Sequence, residues 1–301
     1  MNIVLTGSLG NIGQPLTAML VNNGHSVTVI TSSKDRRQAI ENLGAKAAVG
    51  RLQDAGFLAE TFRGADIVYL METMEAVGDM FDKSVDFIGD ITKIGENYKA
   101  AVIRSGVKQV IHLSSIGAHT NKGTGIIRFH HNVESILRQL PDDIAIKFIR
   151  PVSFYINMFS FMHHIRSQGS IISNYGGDVK EPWVSPKDIA AVIAEEVDQP
   201  FAGKTIRYVA SDEVSPNDIA KALGEAIGQP DLKWLVIPGQ QLLDNWLSSG
   251  FNEQVARGFI ELQESQGSGA LYEDYHQHKP VLGKVKLKDF AEEFAAVYKG
   301  Q

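Results

Sequence analysis

The stretch Ile3-Val4-Leu5-Thr6-Gly7-Ser8-Leu9-Gly10-Asn11-Ile12-Gly13-Gln14-Pro15-Leu16 decides the fold. An apolar run enters a glycine triplet and leaves it in a helical pattern. Gly7 suits a tight turn, Gly10 lets the backbone approach a pyrophosphate, and Gly13 lets the helix pack close to the strand. The helix that opens there offers free N–H groups and a partial positive charge to phosphate. Ser8, Leu9, Asn11 and Ile12 complete the loop and are expected against the same ligand. A glycine triplet alone is weak evidence. Here it follows a strand, opens an amphipathic helix over 14–22 and is followed by a second strand over 26–30. The stretch therefore reads as a dinucleotide cradle.

Working outward, apolar strands are expected at 3–6, 26–30, 47–49, 67–71, 109–113 and 145–149. Helical patterns lie between them at 14–22, 36–43, 58–62, 78–105 and 125–140. Strands that alternate with helices imply a parallel sheet with helices on both faces. The fold class is α/β, a Rossmann doubly wound sheet. After Arg150-Pro151 the rhythm changes. Residues 154–168 are rich in aromatics and methionine, and Gly169, Gly176 and Gly177 break the chain. Helices are expected at 186–197, after the Ser215-Pro216 cap, across most of 240–264 and at 287–298, with strands at 205–210 and 233–237. This half is read as unable to extend the regular βαβ series. The expected division is 1–152 for the cofactor domain and 153–301 for a smaller α/β substrate lobe, the two interleaving. Gly267-Ser268-Gly269 reads as a flexible spot.

The 301 residues are 44% hydrophobic and 21% charged, ordinary for a globular protein, with no cysteine. Disulfides, thiolate metal sites and a cysteine nucleophile are thereby excluded. Lys plus Arg number 29 against 35 Asp plus Glu, a net charge of −6. Without a basic run, a nucleic-acid groove is not expected. No window approaches the roughly 20 apolar residues that span a bilayer. No basic region followed by an apolar stretch marks a secretory leader. The expected location is cytoplasmic.

The cofactor's 2′ position is read at the end of the second strand, where an acid about 20 residues beyond the glycines favours NAD. Here stand Thr31-Ser32-Ser33-Lys34, then Asp35-Arg36-Arg37. Hydroxyls and cations suit a 2′-phosphate, so NADP(H) is favoured over NAD(H), with Thr31, Ser32, Ser33, Lys34 and Arg37 as the expected readers. Asp35 could still take a ribose hydroxyl. Ligands of open sheets lie beyond the carboxyl ends of the strands. Met71-Glu72-Thr73, Ser114-Ser115 and Pro151-Val152-Ser153-Phe154 are therefore expected cofactor contacts. Phe154, Tyr155, Asn157 and Trp183 are the expected substrate contacts, while Trp234 and Trp246 read as structural.

The glycine spacing is G-x-x-G-x-x-G. It resembles the extended and atypical short-chain dehydrogenases/reductases. That family's Tyr–Lys pair is expected on the helix after Ser114-Ser115, which reads Ile126-Ile127-Arg128-Phe129-His130-His131-Asn132-Val133-Glu134. If Glu134 is the family's Glu four residues past its Lys, His130 takes the Lys position and Ile126 the Tyr position. The departure, with Ile111-His112-Leu113-Ser114-Ser115, Phe148-Ile149-Arg150-Pro151 and Pro182-Trp183-Val184-Ser185-Pro186-Lys187-Asp188, resembles the NmrA-like branch and its quinone-reductase-like members. That resemblance implies an NADPH-dependent reductase of a quinone or similar carbonyl acceptor. Quinone reduction needs less of the protein than alcohol oxidation does. A neighbouring His or solvent suffices to protonate the product, and His130 is the expected catalytic residue. Two readings of it stay open: a partly buried His bonded to a neighbour, or a group touching ribose or substrate. The alternative function is a non-catalytic NADP sensor that docks on a transcription factor or other protein. An epimerase or dehydratase fits less well without the Tyr and Lys. No metal site is expected. His163-His164 do not face one way on a helix, and His276 and His278 read as a solvated loop. The oligomeric state is not legible.

Overall fold

The computed structural model describes residues 1–300. Seven strands form one wholly parallel sheet: β1 (Asn2–Leu5), β2 (Ser26–Thr31), β3 (Lys46–Val49), β4 (Ile67–Leu70), β5 (Gln109–Leu113), β6 (Ala145–Pro151) and β10 (Lys204–Val209), in the order β10-β6-β5-β4-β1-β2-β3. β4 is buried at every residue and β6 at all but its first, as strands covered on both faces must be. The edge strands β3 and β10 are more exposed. The doubly wound fold expected from the sequence is the one found.

One face carries α1 (Gly13–Asn22), α2 (Arg37–Asn42) and α7 (Pro186–Asp198), whose Leu16, Leu20, Ile40, Ile189 and Ile193 share a core with Ile3 and Val29. The other carries α3 (Ala55–Phe62), α4 (Phe87–Ser105) and α5 (Arg128–Leu137), packed on Val4, Val68, Val110 and Phe148. A further core forms where α6 (Met162–Gln168), α8 (Pro216–Ile227) and α12 (Leu287–Gly300) meet beside two small sheets. In one, β9 (Glu181–Val184) lies between β7 (Ser153–Phe154) and β11 (Asp212–Val214). In the other, β8 (Ser170–Ser173) pairs with β12 (Lys233–Val236). The helices α9 (Gly239–Ser248), α10 (Glu253–Ser268) and α11 (Glu273–Gln277) complete the chain.

Four expectations need correction. The second half does extend the βαβ series. After α7 the chain returns to the main sheet as β10, pairing in parallel with β6 from Lys204 opposite Ile146 to Val209 opposite Pro151. The excursion between them hid this continuity. The helix expected at 78–105 begins at Phe87. Asp79 and Asp82 accept from the amides of Phe81 and Ser84, closing local turns, and Asp86 caps α4 by accepting from Gly89 N–H. Apolar period cannot see side chains that compete for backbone. Gly267-Ser268 are helical, and Gly269 ends α10 in the left-handed conformation at φ 79°. His276 lies on α11 instead of a loop.

α10 crosses the 3-10 turn Gly125–Ile127, just before α5, at very close range. A Cβ on Gly258 would stand 2.7 Å from the Ile126 amide nitrogen. Asn252, which caps α10, also donates from Nδ2 to the carbonyls of Asp82 and Val85. The helix thus ties the loop after β4 to the second lobe. Among the described residues no helix is long and apolar enough to cross a membrane. Gly258→Ala gains helix propensity of about 1 kcal/mol at most. It should lose more, for a net destabilisation of roughly 1–2 kcal/mol, because backbone atoms cannot move aside as a side chain would. A urea melt of the variant beside the parent measures this.

Candidate active site

The glycine loop is braced between β2 and β4. Ser8 N–H donates to the Ile30 carbonyl and Thr6 N–H to the Tyr69 carbonyl, while Met71 N–H donates to Thr6 Oγ1 at 2.8 Å. Gly7 has φ +88°, and a Cβ there would meet Met71 Sδ at 1.9 Å. A Cβ on Gly13 would meet the Ser8 carbonyl oxygen at 2.0 Å. Both glycines are required by the chain itself. Gly10 is not: its Cβ would have only the Gly7 carbonyl for a neighbour, at 3.6 Å, and its φ is unexceptional. The chain leaves open the space that a glycine at position 10 keeps clear.

That space has the chemistry of an anion site. Ile12 occupies the N-cap of α1, and no side chain or first-turn acid caps the helix; Gln14 N–H donates to the Gly10 carbonyl and Pro15 has no N–H, which leaves the Gly13 amide and the positive end of the helix dipole. Ser8 sits at φ 57° with its Oγ buried and unpartnered among the described residues. A dinucleotide pyrophosphate over Gly10 fits these features. Leu9 is half-buried, Gly10 and Asn11 are exposed, and Ile12 and Gly13 are buried.

From the loop a cleft of about 530 Å³ runs along the strand ends, lined by Gly7, Ser8, Thr31, Ser32, Ser33 and Met71 among others. Thr73 lines it too. Its cations are Arg36 and Arg51. Lys34 and Arg37, the expected readers, do not line it, and Arg37 lies 3.9 Å from Glu41. A tight turn explains the exchange. Ser33 Oγ accepts from Asp35 N–H, starting a 3-10 turn over Lys34–Arg36 that brings Arg36 back to the cleft. Arg51 follows β3, whose end neighbours that of β2. A basic residue just past the third strand was the signal overlooked. Asp35 does not line the cleft; the carboxylate that does is Glu75.

Glu72, expected at the cofactor, is turned inward. Its side chain has 0% exposure and holds two histidines, one from β5 and one from α5. His112 Nε2 lies 3.1 Å from Oε2 and His130 Nδ1 3.2 Å from Oε1. Burial pushes the Glu72 carboxyl up, but the charges and hydrogen bonds of His112 and His130 outweigh it and hold the group down at about 2. An ionised carboxylate only accepts, so both facing ring nitrogens carry hydrogen. His130 is left with Nε2, which has no partner among the described residues, on a side chain 13% exposed. His112 Nδ1 is buried and likewise unpaired.

One turn further along α5, Glu134 is also buried. Its Oε1 accepts from Ser114 Oγ at 2.6 Å and Arg150 Nε at 2.8 Å, and its Oε2 from Arg150 Nη2 at 2.8 Å. The Ser114 hydroxyl, expected as a cofactor contact, is buried and engaged by Glu134; Ser115 is half-buried. Arg150 reaches on to Asp274 Oδ2 at 3.0 Å and Tyr208 Oη at 3.3 Å.

The expected substrate residues scatter. Tyr155 and Trp183 are core, their rings stacked at 6.3 Å and Tyr155 also stacked on Phe290. Pro151 and Val152 are buried, Ser153 and Phe154 half-buried and Asn157 exposed. Beside β7 lies a group the sequence did not reveal. Glu181, 3% exposed, accepts from Tyr272 Oη at 2.7 Å, Tyr175 Oη at 3.1 Å and Trp183 Nε1 at 3.2 Å. No cation meets it. Burial raises its carboxyl to about 7 against the pull of these hydrogen bonds. Gln266 Nε2 links this cluster to Ser153 Oγ at 3.3 Å. Asp188, at the start of α7, fixes the C-terminal segment by accepting from Ser211 Oγ and Val285 N–H. Among the described residues no cluster of three or more His, Asp or Glu could hold a metal ion.

Residues 1–294 match the NmrA-like family. The chain belongs to that family. An Escherichia coli NADPH-dependent quinone oxidoreductase, solved with NADPH, is 17% identical, with TM-score 0.81 over 97% of this chain and 99% of that one. A Citrobacter triphenylmethane reductase complexed with NADP(H) is also 17% identical, with TM-score 0.72 over 97% of this chain and 99% of its own. At that identity the likeness is one of fold. A Streptomyces griseus (4-alkanoyl-5-oxo-2,5-dihydrofuran-3-yl)methyl phosphate reductase is 26% identical over 191 residues, 63% of this chain and 61% of that protein. This NmrA-like chain spans 27 to 64% of the lengths of the curated relatives it matches.

The two buried carboxyls have opposite effects on stability. Glu72 is depressed, so its stabilisation is present above the ordinary Glu value and is lost as pH falls from 4.5 toward 2. Glu181 is raised, so the folded protein loses stability as pH climbs from 4.5 to about 7, by about 3 kcal/mol in all. Glu181→Gln should abolish that loss and melt higher than the parent at pH 8. Melting temperatures of both proteins from pH 4.5 to 8 check it.

Proposed function

We propose that this NmrA-like protein is an NADPH-dependent oxidoreductase that reduces a small electron-poor acceptor, a quinone or similar carbonyl compound. The observation that carries the reading is the N-terminus of α1 beside Gly10, which no side chain caps, with the buried Ser8 hydroxyl, unpartnered among the described residues, next to it. Two phosphate-bearing groups suit the cleft: the pyrophosphate at α1, and a 2′-phosphate among Ser33, Arg36 and Arg51. Proteins of this fold solved with NADPH or NADP(H) include a quinone oxidoreductase and a triphenylmethane reductase, and the reading takes its cofactor from both and its quinone acceptor from the first.

Bound NADPH supplies a hydride. What remains for the chain is to bind, orient and protonate. Helix α5 carries no Tyr that could give up a phenolic proton, and position 126 is a buried Ile. We assign the proton to His130, whose Nδ1 is engaged by Glu72 and whose Nε2 is free of partners among the described residues.

Gly10→Val should leave the fold intact, since only one protein atom stands near, and abolish NADPH binding. Arg36→Ala and Arg51→Ala should each weaken NADPH about tenfold or more while changing NADH little. Fluorescence titration with both cofactors measures this. Absorbance loss from NADPH with a panel of small quinones tests the reaction. Tight binding without turnover across the panel would overturn the reductase and favour a dinucleotide sensor that acts through a protein partner.

A further inference from the structure

The Glu72 side chain is wholly enclosed, and it faces a histidine whose second nitrogen has no partner among the described residues. Four titratable groups surround it: Tyr69 from β4, Tyr98 from α4, His112 from β5 and His130 from α5. Both tyrosines are pushed up by burial and then by its charge, so they stay neutral. Tyr98 Oη donates away from it, to the Met71 carbonyl. Beyond His112 lies the next charge, Glu134, which is neutralised by Arg150. The charge of Glu72 is therefore shared by two imidazoles alone.

The two rings are not equivalent. A second proton on His112 would sit at Nδ1, which is buried without an acceptor among the described residues. A second proton on His130 would sit at Nε2, on a ring with access to solvent. Of the two rings beside this carboxylate, only His130 has access to solvent through which a second proton can come and go.

We propose that Glu72 is a positioning residue for the reduction: its carboxylate fixes the His130 ring through Nδ1 and balances the charge of that ring while it carries two protons. The inference rests on the assignment of His130 as proton donor. When hydride reaches the acceptor from bound NADPH, the Nε2–H bond of His130 breaks and the proton passes to the acceptor oxygen. The ring is left neutral with Nδ1–H still on Glu72, and Nε2 takes its next proton from solvent. Two electrons and two protons reach the acceptor in total, one proton within the hydride. His112 takes no part in the transfer; it competes for the carboxylate.

Two variants with opposite expected signs test this. In Glu72→Gln the balancing charge is gone. The His130 ring titration, followed by NMR and identified by its loss in His130→Gln, should move to lower pH. The alkaline limb of turnover should move with it, kcat at neutral pH should fall about tenfold or more, and KM for NADPH should hold. In His112→Phe the carboxylate is left to His130 alone, and titration and limb should both move up. If Glu72→Gln does not fold, the upward shift in His112→Phe carries the test. Unmoved His130 titration in both variants would overturn the proposal, as would a change confined to NADPH affinity. Titration that moves as expected while turnover shows no matching limb would instead sink the assignment of His130 and leave the link between Glu72 and His130 standing.

Discussion

The buried ion pair between Glu134 and Arg150 is the constraint on which the site geometry depends. Arg150 lies on β6 and Glu134 on α5, and two hydrogen bonds of 2.8 Å join them almost wholly out of water. Such a pair contributes little net energy, but losing one partner would strand a charge at a cost of roughly 3–5 kcal/mol. What it fixes is rotation. Residues four apart share a helix face, so pinning Glu134 sets the azimuth of His130 and aims its ring at Glu72. The Ser114 hydroxyl and the Arg138 guanidinium close the remaining lone pairs. Through Asp274 and Tyr208 the same arginine draws α11 and β10 into register with α5.

Two buried glutamates show how neighbours decide the state of one residue type. Glu72 and Glu181 are each enclosed, and each accepts hydrogen bonds from more than one side chain. Glu72 faces two imidazoles that can carry charge, and it stays ionised. Glu181 faces phenols and an indole, which offer dipoles but no charge, and burial prevails. Dipolar donors alone do not offset the desolvation of a carboxylate here.

Much of this was legible in the sequence. The glycine loop, its strand and its helix follow from local chemistry, and all seven sheet strands came out within about two residues at either end, although the strand at 205–210 was not placed in the main sheet. Period and punctuation are local signals, and the cradle is a local structure. The losses were all of another kind. Arg36 replaced Lys34 and Arg37 at the cleft because a single serine-capped turn rotated the segment. Asp residues cut short the helix expected from 78. Glu72 was read as a cofactor contact from its place at a strand end; its inward turn depends on histidines 40 and 58 residues away. Glu181 gave no signal, since the phenols around it come from distant segments.

The return of β10 to the main sheet bears on how the chain matures. Until residue 209 is made, β6 is an unpaired edge carrying Ile146, Phe148 and Ile149, and Arg150 lacks its Tyr208 and Asp274 partners. Open edges of this sort invite pairing with other chains. During synthesis the glycine loop, which precedes β10 in the chain, would emerge while its own sheet stayed unsealed for some fifty residues of the excursion. Cutting the chain between the lobes would recreate that open edge permanently, so the two halves do not separate cleanly into independent pieces.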